Sequence, residues 1–211
     1  NRSNNDGINN ETTLQIDYTY PFKKNIFEMG AKYIMRDVSS EFDFFNYDAQ
    51  IKDYVIQANR TNNFNYDQDV VAAYSTFTIS LPKKWGVKVG ARYENTKITA
   101  KFQTSDTPTK IDPYDNIIPS VSISKDFPKN HKFRVSYVQR IQRPSLEFLN
   151  PFVNYADPLN ISYGNPLLKP ELSHNFELNY STYFKANSIN ASVFRRFTDN
   201  NITSVRSVNE Q

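Results

Sequence analysis

The sequence predicts an all-β fold, an antiparallel up-and-down transmembrane β-barrel. Three observations predict it: apolar residues recur with period two, short and long connections alternate strictly, and aromatic residues gather beside the short connections. About eight strands are expected, each with one apolar and one polar face.

Each strand follows from its own alternation. Leu14, Ile16, Tyr18 and Tyr20 alternate with Gln15, Asp17 and Thr19. Phe27, Met29, Ala31, Tyr33 and Met35 form the next apolar row, with Glu28, Gly30 and Lys32 between them. Ala73, Phe77, Ile79 and Leu81 follow, then Val87, Val89, Ala91 and Tyr93. Ile117, Val121 and Ile123 precede Phe133, Val135 and Tyr137. Phe176, Leu178, Tyr180 and Phe184 give a seventh strand, and Ile189, Ala191 and Val193 an eighth. No segment carries a helical stripe. Met29-Gly30-Ala31-Lys32-Tyr33 is echoed by Val89-Gly90-Ala91-Arg92-Tyr93, each after a short turn. It reads as a repeated hairpin solution rather than a solenoid repeat.

The connections are as informative. Short turns are expected near 21–25, 82–86, 128–131 and 185–188; three begin with Pro, and all carry Lys or Asn. Long loops are expected near 38–68, 104–115 and 144–172. A meander with this alternation has all short turns at one end and all long loops at the other. Expected strands run about 10–14 residues, against the roughly 9–11 that cross a bilayer when tilted.

Composition excludes several classes. Aromatic residues reach 15%, too many for a disordered chain. The longest apolar run, from Val70 to Tyr74, is far short of a spanning helix. A net charge of +3 comes from scattered Lys and Arg, so no nucleic-acid partner is expected. The chain has no Cys, which removes disulfides, Cys-ligated metals and thiol nucleophiles. His131 and His174 read as ordinary strand-end residues. No motif for a nucleophile elbow, zinc protease or phosphate loop is present, and no carboxylates form an acid/base couple. No enzyme activity, cofactor or metal is expected. No signal peptide is legible in residues 1–10, so either one is removed or the sequence is part of a longer protein.

Alternating strands also build soluble sandwiches, whose apolar face meets a dry core. Three features favour the barrel. One is the loop asymmetry. Another is the aromatic set beside the short turns: Tyr18, Tyr20, Phe22, Phe27, Trp85, Phe127, Phe133, Tyr183 and Phe184, expected as a girdle at one membrane interface. The third is the polar face, with Glu28, Lys32, Lys88, Arg92, Glu94, Arg134, Asn175 and Glu177, which suits a wet lumen. Eight strands would leave a packed interior, so these charges point to a section of a larger barrel.

Residues 137–180 carry a specific pattern. Arg140-Ile-Gln-Arg143-Pro144 ends one strand. Leu149-Asn150-Pro151-Phe152, Asp157-Pro158 and Gly164-Asn165-Pro166-Leu-Leu168-Lys169-Pro170-Glu171 then lead to the next. This pattern resembles the TonB-dependent outer-membrane receptors, in the branch described as the outer membrane protein beta-barrel family. The resemblance implies a barrel of roughly 22 strands, of which residues 1–211 are a partial barrel domain from the C-terminal part, without the plug domain. It implies location in the cell outer membrane and import of a siderophore, glycan or similar ligand. The implied partners are outer membrane lipid, the protein's own plug domain, the inner-membrane TonB complex, and a surface lipoprotein or other subunits. A barrel of this family also serves as an anchor or scaffold in the alternative reading, with a soluble carbohydrate-binding module as a third.

Read from the residues, the motif is structural. Its prolines stiffen a long loop, and Gly164-Asn165-Pro166 is a turn signal. Lys169 and Glu171 are placed for a weak loop ion pair. Ligand contact is expected instead from Phe42, Phe44, Phe45, Tyr47 and Tyr54, aromatics of the first long loop suited to stacking on sugars, haem or siderophores. Phe64 and Tyr66 are assigned to the start of the next strand.

Overall fold

The computed structural model describes residues 2–58, 60–102, 109–153 and 161–208. Eight long strands run in one antiparallel meander: β1 (Arg2–Phe22), β2 (Asn25–Asp48), β4 (Asn62–Leu81), β5 (Trp85–Phe102), β6 (Thr109–Phe127), β7 (His131–Gln142), β8 (Glu171–Phe184) and β9 (Asn187–Asp199). A short strand β3 (Asp53–Ile56) folds back on the end of β2. One short helix, α1 (Leu146–Leu149), lies between β7 and β8. Every other neighbour in the sheet is also a neighbour in sequence, and the sheet curls into a half-barrel.

The register produces one unbroken outward row. Tyr20 lies opposite Phe27, Phe27 opposite Phe77, Phe77 opposite Val89, Val89 opposite Val121, Val121 opposite Tyr137 and Tyr137 opposite Phe176. Val89 is 45% exposed and Ile117 68%. None of Phe27, Val89 or Tyr137 is buried, so no dry core covers this face and the sandwich reading is discarded. The polar residues named for the lumen (Glu28, Lys32, Lys88, Arg92, Glu94, Arg134, Asn175 and Glu177) all share the opposite, inward register. Of the expected girdle, eight aromatics face outward. Tyr183 does not: it sits one residue from Phe184 and takes the inward face.

The strands are longer than expected. β2 has 24 residues and β4 has 20. Most of the expected 38–68 loop is therefore strand, because β2 continues to Asp48, β3 pairs with it, and β4 starts at Asn62. Likewise β6 starts at Thr109, inside the expected 104–115 loop. The cause is a change in which side is apolar. On β4, Val71, Ala73, Phe77 and Ile79 face outward, whereas Phe64, Tyr66 and Val70 face inward and are buried. On β5, Val87 and Val89 face outward but Ile98 and Ala100 inward. On β2, Met29 and Met35 face outward but Val38 and Phe44 inward. Outward positions beyond the switch are polar: Asn63, Asn65, Asp67 and Asp69 on β4. Two strand phases meet there, and a search for one phase reads their junction as a loop.

Inside, Gly30 gives room for a side chain. A Cβ there would stand 2.5 Å from the Tyr74 ring. The ring lies across the strand and its hydroxyl donates to Asp17, which also accepts from Gln15 Nε2 at 2.7 Å.

The reversals at the short-turn end are tight. Lys23, Lys83, Lys129 and Lys185 have φ of 54°, 57°, 60° and 50°. This left-handed region costs a side-chain-bearing residue about 1–2 kcal/mol, and glycine is the residue that avoids the cost.

Candidate functional site

At the long-loop end, β5 sends alternate side chains inward: Arg92, Glu94, Thr96, Ile98 and Ala100. Glu94 is only 1% exposed. Arg92 Nη2 stands 2.5 Å from one of its carboxylate oxygens, and Arg143 Nη2 bonds the other. The Arg143 guanidinium also donates to Thr96 Oγ1 at 3.2 Å. Arg143 follows the last residue of β7, so this contact ties the start of the 143–170 loop to the wall of β5. A carboxylate taken out of water needs such partners, because desolvation of a lone charge costs several kcal/mol.

Directly above, an apolar cluster forms from Val38, Phe64, Tyr66, Ile98 and Ala100, with Ile111, Tyr114 and Leu168 packed around it. Leu149, from α1, is inserted here and is 2% exposed. Burying one such side chain contributes about 1.5–3 kcal/mol. Burial pushes the phenols of Tyr66 and Tyr114 above the ordinary tyrosine range, and the Arg143 charge partly offsets this at both. Tyr66 Oη accepts from Gln68 Nε2 at 3.0 Å.

The loop is also clasped to itself. Gly164 N–H donates to the Asn150 carbonyl at 2.7 Å, and Asn165 N–H to the Phe148 carbonyl at 2.6 Å. Asn150 Oδ1 accepts from Phe152 N–H at 3.0 Å, and Asn165 Oδ1 from Leu167 N–H at 2.9 Å. A Cβ on Gly164 would stand 2.5 Å from the Phe148 carbonyl oxygen, so only glycine admits this approach.

The motif residues therefore fall into distinct places. Arg143, Asn150, Gly164 and Asn165 hold the loop. Pro144, Pro151 and Pro166 are half-buried and Pro170 is buried. Arg140 faces inward on β7 and is exposed. Asp157 lies outside the described residues. Lys169 is exposed and forms no ion pair with Glu171. Glu171 Oε1 instead accepts from Ile202 N–H at 2.6 Å, fixing the chain after β9.

The five aromatics proposed for ligand contact do not converge. Phe42 and Phe44 face inward; Phe44 is 9% exposed, with the Arg60 guanidinium 5.0 Å from its ring centre. Phe45 and Tyr47 take the other face. Tyr54 pairs with Tyr47 across the β2–β3 hairpin, ring centres 5.5 Å apart and edge to face, and both are about half exposed. Glu94 and Thr96 emerge as site residues that the sequence reading counted only as lumen polarity or passed over. Their signal was the Arg92-x-Glu94-x-Thr96 spacing, three polar groups on one face of a strand.

Both histidines face outward: His131 Nδ1 lies 2.7 Å from the Tyr180 hydroxyl and His174 Nδ1 2.9 Å from that of Tyr137. Among the described residues no cluster of three or more His, Asp or Glu is arranged to hold a metal.

The inner wall carries further charges. From β1 to β5 two inward ion pairs form, Arg36 with Glu11 at 3.5 Å and Lys88 with Glu28 at 3.1 Å, while Lys32 has none among the described residues. From β7 to β9, Arg134, Arg140 and Arg196 form no ion pair among the described residues. A polar recess of about 290 Å³ lies between Lys132, Arg134, Asn179, Ser181, Asn190 and Ser192.

An outward apolar belt, an inward polar wall and a loop pinned inside one end define a section of an outer-membrane β-barrel. The chain belongs to the outer membrane protein beta-barrel family, whose pattern matches residues 1–211. Its fold is similar to that of the ferric yersiniabactin uptake receptor FyuA from Yersinia pestis, at 15% identity and a TM-score of 0.61, over 93% of this chain and 29% of that one. It is similar also to the outer-membrane ferripyoverdine receptor of Pseudomonas aeruginosa, at 12% identity and a TM-score of 0.62, over 93% and 26%. The copper transporter OprC gives a TM-score of 0.67 at 12% identity, over 90% and 29%. The chain thus spans less than a third of the length of these structures. No curated protein sequence matches it.

Proposed function

We propose that this chain is part of the barrel of a TonB-dependent outer-membrane receptor importing a siderophore, glycan or similar ligand. The observation that carries the reading is the segment that follows β7, residues 143–153, held on the inner side of a polar-walled sheet by Arg143 on Glu94 and by Leu149. The Arg140–Glu171 motif then serves mainly to fold this loop, and ligand contact falls to the half-buried, inward-facing Phe42 and the residues around it. The plug domain and the TonB complex act through parts of the protein beyond this chain.

The test is uptake by cells carrying the full-length protein, with and without the inner-membrane TonB complex, over a panel of ferric siderophores and oligosaccharides. Uptake of one class that stops without the complex is the expected result. Growth and uptake indifferent to both the protein and the complex would overturn it.

A second reading is an anchor for a surface lipoprotein. The half-exposed Tyr47–Tyr54 pair on the projecting β2–β3 hairpin favours it. Copurification of a lipoprotein that is lost on Tyr47→Ala and Tyr54→Ala substitution would support it.

A further inference from the structure

The short turns share a feature that chain reversal does not require. Lys23, Lys83, Lys84, Lys129 and Lys185 all have positive φ, from 50° to 61°. Glycine adopts this conformation without strain and asparagine more readily than lysine, yet no described glycine has positive φ. Within the same turns the conformation falls also on Asn130, and outside them on Lys52 of the β2–β3 hairpin and on Asn200. Backbone geometry thus works against lysine at these turns, and what each position gains is an ammonium group.

Two ammonium groups at this end have a defined setting: Lys23 in the first turn, and Lys125 near the end of β6, whose Nζ also donates to the Lys83 carbonyl. Lys23 Nζ lies 5.5 Å from the centre of the Phe22 ring. Lys125 Nζ lies 5.0 Å from the Trp85 ring and 5.7 Å from the Phe127 ring. These three aromatics are on the outward, lipid-facing side. Rings of this kind sit at the boundary of acyl chains and headgroups, which puts the charges over them at phosphate depth. Asp126 does not neutralise the rim: it faces inward and pairs with Lys132 at 3.5 Å.

We propose that the short-turn rim is a binding surface for the phosphate headgroups of anionic phospholipids in the leaflet it meets. Lysines near a membrane surface attract anionic lipid within a Debye length, and the attraction grows with their number. Contact of Lys23 and Lys125 with outward-facing rings favours lipid over an acidic protein, which would need the charges directed into water.

The test uses the full-length protein in nanodiscs of phosphatidylethanolamine mixed with phosphatidylglycerol, with retained lipids identified by native mass spectrometry. Phosphatidylglycerol is expected above its bulk fraction at low salt and at its bulk fraction in concentrated salt. Lys23→Gly, Lys83→Gly, Lys129→Gly and Lys185→Gly together remove four charges and relieve the left-handed strain. This variant is expected to keep its heat-dependent gel mobility while losing up to roughly fivefold in preference per lysine. The same four positions changed to Asn, which already occupies this conformation at Asn130, provide a second folded variant with the same expected loss. Wild-type protein that retains both lipids in bulk proportion would overturn the proposal. So would a folded variant that keeps the wild-type preference. Capture of soluble polyglutamate without any lipid preference would reassign the rim to an acidic protein.

Discussion

In the half of β4 nearest the short turn, Ala73, Phe77, Ile79 and Leu81 point outward; in its far half, Phe64, Tyr66 and Val70 point inward. The alternation never stops, but the side that carries apolar residues changes. β2 and β5 make the same change at the same height. The difference teaches that these strands pass through two solvents. Where hydrocarbon surrounds the sheet, burial means facing out. Where water surrounds it, burial means facing in, and the 143–170 loop supplies Leu149 to complete the cover. Polar groups obey the same logic in reverse, which is how Asp67 and Asp69 come to point outward above the switch.

The largest effects are expected where the inward core holds a charge. Arg143→Ala leaves Glu94 buried with one partner fewer, and should cost about 3–5 kcal/mol in urea unfolding of the full-length protein in vesicles. Faster protease cleavage of the 143–170 loop should accompany it; an uncleaved loop would mean that Arg143 does not hold it. Leu149→Ala tests the apolar half of the same anchor and should cost about 2–5 kcal/mol, depending on how far the cluster collapses. Below the switch, Val89→Arg should cost about 2–4 kcal/mol if the position lies near the bilayer midplane. A neutral result there would remove Val89 from the lipid face.

Alkaline titration addresses the core without mutation. Burial raises the Tyr66 and Tyr114 phenols above the ordinary value of about 10, so the folded protein binds these protons more tightly than the unfolded chain. Their contribution is therefore fully present below about pH 10 and lost as the pH climbs through the raised folded values. Unfolding midpoints in Tyr66→Phe protein should fall less steeply over that range. The smallest effect sharpens the contrast: Asp67→Arg, outward on the same strand but above the switch, should stay within about 0.5 kcal/mol.

Within the belt the strand faces were legible in the sequence, because one solvent on each side imposes one phase. Phe27, Val89 and Tyr137 needed only period two to be placed outward. Above the switch the phase reverses near Val38, Val70 and Ile98, and a one-phase reading took strand for loop over 38–68. Tyr183 departs from the girdle for a related reason: adjacent residues at a strand end face opposite ways, so Tyr183 and Phe184 cannot both meet lipid. The site was less legible. Arg143, Asn150 and Gly164 could be marked as a loop signature, but their partners are far away in sequence. Glu94 lies 49 residues from Arg143, and only pairing of β5 through β7 brings them together. The aromatic set Phe42–Tyr54 reads as one surface in a loop, but the continuity of β2 through Asp48 deals its members to both faces.

The switch also fixes a length. Residues 71–81 of β4 cover about 33 Å of strand, which at a tilt near 40° is about 25 Å of depth. A bilayer of that thickness fits without distortion. In a thicker one, each added ångström would immerse Asp69 or draw lipid thinner around the wall, at a fraction of a kcal/mol. Small as it is, that penalty recurs on β2, β4 and β5, the three strands that make the reversal, so the point of phase reversal sets the membrane thickness this part of the wall fits.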